Sequence, residues 1–407
     1  MKKQLAAAGL VLLMGPALAA CGSASSSGGS SSASGDAAPI KVALIPPTSG
    51  ALAQFGTDAV KGWQVAVDQV NADGGVDGHK VELVTKSTDG DPATTLRAAK
   101  EATSQDGATF IGAVMTSPEH AALNAQLAGM GALSFNALGK DDALVGAQCV
   151  PNAFHIVQTS GMDITGLASQ ISTLPGDKWA IQAVDYATGH TAAEQFKAAA
   201  AAAGKTVVSE QYAPLNTTDF GSYITGIKDS GADAVFAVEY GADGVAFVKQ
   251  ATQFGLPASL KTVLGFNMVS EPLFPTLGDS IVGFYNNVGY DVDGDNELNK
   301  TFVADYTKAN GAAPYYVPAD NYLAAETLFA GIEKAGSIDP ADVSKALDDL
   351  TFDSIVGQVT LRGADHQLLR PSYLGQVEGS GTDLSFKILS DAGPDVTTPK
   401  PSADCTL

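Results

Sequence analysis

Short apolar runs alternate with amphipathic stretches over residues 41–265. Residues 41–46 are apolar enough to predict a strand, and apolar side chains recur at helical spacing through residues 57–71. Seven further strands are predicted, with helices between most of them, at 80–86, 110–114, 132–135, 179–184, 206–212, 234–239 and 262–265. Strands separated by helices over such a length indicate an α/β protein with parallel sheets covered by helices on both faces.

The loop at 139–152 interrupts this alternation. A closed barrel needs evenly spaced units, so two separate sheets of four or five strands fit the chain better, and the loop is a candidate crossing between them. The last third differs from the rest. It contains predicted helices at 300–310, 321–334 and 339–350, and predicted strands at 356–362 and 373–377.

The first twenty residues have the pattern of an export signal. Lys2 and Lys3 precede an apolar stretch that contains Gly and Pro and is too short to span a bilayer. Leu18-Ala19-Ala20-Cys21-Gly22 resembles the lipobox of bacterial lipoproteins, which implies cleavage before Cys21 and diacylation of its thiol; the alternative is an ordinary signal peptide with a chance cysteine. The Gly- and Ser-rich residues up to 38 then predict a flexible tether. We therefore expect an exported protein, anchored by lipid to the outer face of the cytoplasmic membrane.

Composition and charge exclude several classes of protein. The 407 residues contain 23 Lys+Arg and 44 Asp+Glu, for a formal net charge of −21, and 45% of them are hydrophobic. That hydrophobic fraction is too high for a disordered chain, and the length predicts about two domains. The acidity argues against a nucleic-acid partner, because such binding depends on Lys and Arg that neutralise phosphates.

Cys149 and Cys405 are the cysteines outside the leader. An exported compartment is oxidising enough for them to form a disulfide, which would tie the C-terminal tail to the middle of the chain. The alternative is two free buried thiols.

The sequence contains no complete motif for metal binding or catalysis, because each candidate lacks a required residue or spacing. No two of the five histidines are spaced i, i+4, and no G-x-S-x-G nucleophile motif occurs. Gly204-Lys205-Thr206 lacks the first P-loop glycine, since position 199 is Ala. The acidic loop at 291–295 lacks the calcium-loop Gly and Glu, because those positions are Asn296 and Phe302. We therefore predict no metal, no cofactor and no enzymatic activity.

Polar and aromatic residues recur where predicted strands end. In open parallel sheets ligands bind in the crevice beyond those ends. Each such residue could equally serve packing or lie on the surface, and it is their recurrence that predicts a binding site. They are Ser49, Phe55, Thr116, Ser117, Asn136, Ala137, Asp185, Tyr186, Glu239, Tyr240 and Asn267.

Several local motifs resemble those of one family. They are Thr48-Ser49-Gly50, Gln54-Phe55-Gly56, Asn71-x-x-Gly74-Gly75-Val76-x-Gly78, Asp89-x-Asp91-Pro92, Gly112-x-x-x-x-Ser117 and Asp320-Asn321-Tyr322-x-Ala324. Across nearly all of residues 40–380 the chain resembles the branched-chain amino-acid (leucine, isoleucine, valine) binding proteins of ABC importers, which have the type I periplasmic-binding-protein fold.

The resemblance implies two Rossmann-like lobes joined by three chain crossings, which close on a ligand like a hinge. We place the signal at 1–20 and the tether at 21–38. The resemblance then implies lobe one at 39–155 and 289–352, and lobe two at 156–288 and 353–407. In that family a serine and backbone groups of lobe one hold the ligand carboxylate, which implies Ser117, Ala137 and Leu138, with Thr116 beside them. The resemblance also implies that Phe55 caps the pocket and that Tyr240 contacts the ligand from lobe two.

One departure from the family concerns the ligand's ammonium group. The family places an acidic residue where this chain has Asn267. An ammonium group buried without a partner is costly, so Glu239 or Asp185 would have to substitute, or the ligand has no α-ammonium.

The favoured function is therefore a lipid-anchored receptor that captures a small polar ligand, an amino acid or a related amide or carboxylate, and delivers it to ABC permease subunits. One alternative is a module of the same fold that signals the presence of ligand to a partner. The other is an exported hydrolase, for which no nucleophile–base pair is found.

Overall fold

The computed structural model describes residues 37–185 and 187–407. The predicted signal, most of the tether, Cys21 and Tyr186 lie outside these ranges. The described residues contain fifteen strands: β1 (Ile40–Leu44), β2 (Val81–Thr85), β3 (Phe110–Gly112), β4 (Leu133–Asn136), β5 (Ala153–His155), β6 (Lys178–Val184), β7 (Thr206–Ala213), β8 (Ala234–Val238), β9 (Thr262–Gly265), β10 (Tyr285–Val288), β11 (Thr351–Ser354), β12 (Gly357–Arg362), β13 (Gln367–Leu369), β14 (Ser372–Glu378) and β15 (Ser385–Ala392).

Fourteen α-helices accompany the strands in the same part of the chain. They are α1 (Ala53–Ala72), α2 (Pro92–Ser104), α3 (Ser117–Asn124), α4 (Leu127–Met130), α5 (Ser160–Gln170), α6 (Ala187–Ala202), α7 (Gly221–Asp229), α8 (Gly241–Gln253), α9 (Leu256–Ser259), α10 (Phe274–Leu277), α11 (Glu297–Asn310), α12 (Tyr316–Ala335), α13 (Pro340–Leu347) and α14 (Pro394–Thr397). None of the described helices is long and apolar enough to cross a membrane.

The strands form two sheets, and each sheet with its helices is called a lobe below. The first has the order β11-β12-β13-β5-β4-β3-β1-β2 and is parallel from β13 to β2. The second has the order β15-β14-β10-β9-β8-β6-β7 and is parallel from β10 to β7. The predicted pair of α/β units, rather than a closed barrel, is confirmed.

Helices cover both faces of the first sheet. Trp63 of α1 and Leu323 of α12 lie in the apolar core on one face, and Ala98 and Leu123 lie in a separate core on the other. Gly62 allows α1 and α12 to approach closely, since a Cβ there would lie 2.1 Å from the carbonyl oxygen of Pro318. Two further cores cover the second sheet, so each lobe has three layers.

The predicted boundary of the second lobe at residue 353 is wrong for the strands that follow it. The β11–β12 hairpin and β13 belong to the first sheet, where Gln367 pairs with His155 of β5. Val359 and Leu361 alternate toward the first core, which explains this placement. The chain enters the second sheet later, at β14.

Three segments connect the lobes and together are called the hinge: residues 156–159, 289–296 and 370–371. Arg370 is 1% exposed and bonds to the other parts of this junction. Its Nη1 lies 2.5 Å from Asp320 Oδ1 of α12, and its Nη2 donates to the Gly289 carbonyl oxygen at 2.7 Å. Gln158 donates to the Arg370 carbonyl oxygen at 3.2 Å. The buried guanidinium group therefore joins the third crossing to the second, and the Gln158 amide joins the first crossing to the third.

We predict that Arg370→Met lowers the free energy of unfolding by about 3–5 kcal/mol, because Asp320 is left as a buried charge without its partner. The double variant Arg370→Met/Asp320→Leu should recover much of that loss. Lys300→Met is the control, since it removes an exposed ion pair with Asp295 and should leave the unfolding midpoint nearly unchanged. Denaturant unfolding measures all three. An Arg370→Met variant as stable as wild type would contradict the role assigned to Arg370.

Candidate functional site

The carboxyl ends of the parallel strands in both sheets face the hinge. The chain leaves the first sheet for the second at the end of β5, and it leaves the second at the end of β10. Each of these strands runs parallel to the central strands of its sheet. The carboxyl ends of the parallel strands of both lobes therefore border one cleft beside the hinge, where open α/β sheets bind their ligands.

Ser117 begins helix α3 at the edge of lobe one. The preceding residue, Thr116, is the N-cap, and its hydroxyl and backbone N–H both donate to Glu119 Oε2 at 2.8 Å. Thr116 therefore caps the helix, and its expected help with a ligand stays a prediction. Ser117 Oγ accepts a hydrogen bond from the Asp141 N–H at 3.1 Å, so its own proton can still be donated. A hydroxyl donor at a helix N-terminus suits an anionic group.

Asn136 holds the loop that follows β4. Its side chain is 1% exposed, and its Oδ1 accepts hydrogen bonds from the N–H groups of Leu138 and Gly139 at 3.1 and 2.7 Å. Asn136 and the Leu138 N–H therefore stabilise this loop by bonding to each other, and their contact with a ligand stays a prediction. Ala137 is buried within the same loop.

Two buried histidines contact this loop. His155 Nδ1 accepts a hydrogen bond from Asn136 Nδ2 at 3.0 Å, and the His120 ring lies against Gly139, where a Cβ would be 2.7 Å from its Cδ2. Burial lowers the pKa of His155 to about 3 and that of His120 to about 4. Both rings are therefore neutral at pH 7, which is the form the Asn136 contact requires.

Residues 140–142 connect this loop to lobe two. Lys140 Nζ lies 2.7 Å from Asp163 in the first turn of α5, and its carbonyl oxygen accepts from the Ser160 N–H at 2.8 Å. Asp142 Oδ1 accepts from the Gly161 N–H at 3.2 Å. Since Asp141 also bonds to Ser117, one short segment links the candidate anion site to the start of the second lobe. The sequence analysis missed Lys140, because no motif marks it.

Glu239 lies at the end of β8 in lobe two and is fully buried. Gln182 Nε2 donates to its Oε1 at 2.9 Å, and among the described residues its Oε2 and the Gln182 Oε1 have no partner. A proton on Oε2 would satisfy both atoms in a cyclic acid–amide pair. Burial raises the pKa of Glu239 to about 7, which agrees with that protonated form.

Asn267 is a turn residue. Its φ is 50°, and its backbone N–H and side-chain oxygen bond to Asn287 at 2.7 and 2.8 Å. These bonds give Asn267 a structural role, since Asn tolerates this left-handed conformation, and its contact with a ligand stays a prediction. Asp185 is exposed, and its Oδ1 lies 2.8 Å from His190 Nε2.

The other predicted residues occupy varied positions. Ser49 is exposed before the short helix Gly50–Leu52, and Phe55 is half-buried in α1 against the first core. Tyr240 is the N-cap residue of α8 and packs against a core of lobe two. Their contact with a ligand stays a prediction.

Glu271 and Tyr316 form a pair that the sequence analysis missed. Glu271 begins the short helix Glu271–Leu273 just beyond the end of β9, and Tyr316 begins α12 in lobe one. Burial raises the pKa of Glu271 to about 7. Burial and the nearby charge of Glu271 both raise the pKa of Tyr316. The charge of Glu271 thus acts on Tyr316, and Glu271 lies four residues after the position where a carboxylate was expected.

A cavity of about 520 Å³ lies away from these strand ends. It is lined by residues 294–296, the turn at 355–357 and part of β15, and it contains none of the predicted site residues. No cluster of three or more metal-ligating side chains occurs in residues 37–185 and 187–407.

Comparison with known proteins agrees with this geometry. Residues 39–382 match the model of a periplasmic binding protein family. A Leu/Ile/Val-binding protein homolog 7 of Brucella abortus is 27% identical over 337 residues, which cover 78% of this chain and 82% of that protein.

Solved structures give the same result. An amino-acid ABC transporter substrate-binding protein from Pseudomonas fluorescens Pf-5 superposes with a TM-score of 0.81 at 24% identity, covering 91% of this chain and 99% of that one. A solute-binding protein from R. palustris, in complex with 4-hydroxybenzoate, has a TM-score of 0.77 at 27% identity, covering 87% and 97%.

The fold and the hinged cleft define a two-lobed solute-binding protein of the type that serves ABC transporters. This chain belongs to the periplasmic binding protein family, a family of non-catalytic binding proteins that act outside the cytoplasm.

We predict that Glu239→Gln flattens the pH dependence of stability. The folded-state pKa of about 7 exceeds the ordinary value of about 4.3, so the folded protein loses stability as pH rises between these values, by about 3 kcal/mol in all. Gln keeps the cyclic pair without a titrating group, so the variant should be more stable than wild type at pH 8.

The measurement is the free energy of unfolding at pH 5 and pH 8. Glu82→Gln, on an exposed position of β2, is the control and should leave the difference between the two pH values unchanged. An identical pH dependence in Glu239→Gln and wild type would show that Glu239 is ionised in the folded protein.

Proposed function

We propose that the protein captures a small carboxylate in the cleft between its lobes and delivers it to the permease of an ABC importer. The observation that carries this proposal is Ser117, which offers a hydroxyl proton at the first position of α3, on the cleft edge of lobe one. The family and the hinged architecture support capture by closure of the lobes.

The helix terminus supports an anionic ligand. The N–H groups of the first turn give this end of α3 a partial positive charge, and Ser117 Oγ is held in place by the Asp141 N–H. Gly139 allows the neighbouring loop to pack against α3, since a Cβ there would lie 3.3 Å from Ser117 Cα. A carboxylate at this position would gain charge-assisted hydrogen bonds from groups that are already oriented.

The far end of the ligand would meet Glu271 and Tyr316. An ammonium group next to Glu271 would restore the ionised carboxylate that burial disfavours, and this corresponds to an amino-acid ligand. A phenolic hydroxyl would instead donate to the carboxylate, which corresponds to an aromatic acid such as the 4-hydroxybenzoate bound by the R. palustris protein. We propose the amino acid, because Glu271 supplies the carboxylate that Asn267 lacks.

The membrane connection is part of the same proposal. The lipobox-like segment ending at Cys21 supports attachment by lipid to the outer face of the cytoplasmic membrane, and the Gly- and Ser-rich residues after it would let the lobes reach a permease. Mass spectrometry of the protein made in a bacterial host would detect the diacylated Cys21. An N-terminus without lipid would remove the anchor from the proposal.

A thermal-shift screen of the full chain tests the ligand class. The compounds are aliphatic, polar and aromatic amino acids, their amides, and hydroxybenzoates. A ligand at 100 times its dissociation constant should stabilise the protein by about 2.7 kcal/mol. Stabilisation by amino acids is expected, a response to hydroxybenzoates alone would replace the amino acid with an aromatic acid, and no response to any carboxylate would contradict the proposed function.

Calorimetry with the best compound then tests the two ends of the site. Ser117→Ala should weaken binding by about 1–3 kcal/mol, because a buried carboxylate loses a donor. Glu271→Gln should weaken an amine ligand strongly and a phenolic ligand little. Ser134→Ala is the matched control, since that hydroxyl is buried in β4 away from the cleft. Unchanged affinity in Ser117→Ala would remove Ser117 from the site.

A further inference from the structure

The C-terminal tail forms a fourth connection between the lobes, beyond the three crossings of the hinge. Strand β15 belongs to the second sheet, whereas Cys405 is bonded to Cys149, which precedes β5 of the first sheet. Residues 393–404 must therefore pass from lobe two back to lobe one.

The tail is first fixed to lobe two. Helix α14 packs against α5, and Thr397 at its end is fully buried. Gly166 of α5 provides the space for this contact, because a Cβ at that position would lie 3.1 Å from the Thr397 methyl group. A four-residue helix has little stability of its own, so this packing holds it in place.

The same residue contacts the hinge. Gln158 Nε2 lies 3.3 Å from Thr397 Oγ1 and 3.2 Å from the Arg370 carbonyl oxygen. One amide group therefore joins the first crossing, the third crossing and the tail. Any rotation of the lobes about the hinge also acts on the tail.

The tail is next fixed to lobe one. Arg362 Nη1 of β12 donates to the Pro399 carbonyl oxygen at 2.8 Å, and Asp365 orients that guanidinium group through two hydrogen bonds of 2.9 and 2.6 Å. The disulfide at Cys405 makes the attachment covalent.

Thr398 is the one residue between the last contact with lobe two and the first contact with lobe one. A residue spans at most about 3.3–3.6 Å when extended, so this short segment has little slack. Pro399 and Pro401 restrict the backbone further. We infer that residues 393–399, fixed to lobe one by the Arg362–Pro399 contact, act as a strap that limits how far the two lobes can separate.

Two insertions in the full chain test this inference. Gly-Ser-Gly-Ser between Thr398 and Pro399 lengthens the segment between the two anchors. The same insertion between Pro401 and Ser402 lies beyond the Pro399 contact and is the matched control. Both variants keep Cys149 and Cys405, and mass spectrometry under non-reducing conditions verifies the disulfide.

Small-angle scattering and hydrogen exchange are measured on the ligand-free proteins. The first insertion should increase the radius of gyration and speed up exchange in residues 156–159 and at Arg370, while the control resembles wild type. Equal behaviour of the two insertions, or wild-type values for both, would overturn the strap. This result does not depend on the ligand, so failure of the ligand assignment and failure of the strap remain distinguishable.

Discussion

The Arg370 guanidinium group is buried where the two lobes meet, and groups from distant parts of the chain converge there to pair with it. A buried cation is tolerated when it is paired and hydrogen-bonded. Its partners here are Asp320 from α12 and Gly289 from the second crossing, and Gln158 bonds to the Arg370 carbonyl oxygen. Because these groups come from distant parts of the chain, pairing the charge also fixes the second and third crossings next to one another, and the Gln158 amide adds the first.

The candidate site is mechanically connected to this junction. Ser117 bonds to Asp141, and the residues on either side of Asp141 bond to the beginning of α5 in lobe two. A ligand that draws Ser117 and its loop toward the cleft therefore acts on the first helix of the other lobe. In the proposed closure the hinge would supply the axis, the 140–142 segment would connect the site to lobe two, and the proposed strap would set the outer limit of the motion.

Much of the fold could be predicted from the sequence, because apolar periodicity reports which face of an element is buried. It does not report which of two cores receives that face, and this explains the incorrect placement of the β12 segment. Val359 and Leu361 alternate in the same way whichever sheet they join. The pairing of Gln367 with His155 places this segment in the first sheet, and the two residues are more than 200 positions apart in the sequence.

The binding site could be predicted only to the level of the sheet edge. Thr116, Asn136 and Asn267 lie at that edge as expected, but each uses its polar atoms to hold a cap, a loop or a turn. Short polar side chains satisfy backbone groups as readily as they bind ligands, and the sequence does not separate the two uses. The sequence did not identify Glu271 as a site residue, because it follows the end of β9 by several residues and belongs to no recognisable motif.

Small-angle scattering of the full chain, with and without a saturating ligand, tests whether the two lobes close on binding. The ligand is the strongest stabilising carboxylate from the screen. We predict that the radius of gyration falls on binding, because the cleft closes about the hinge held by Arg370. Saturated binding with an unchanged radius of gyration would contradict it.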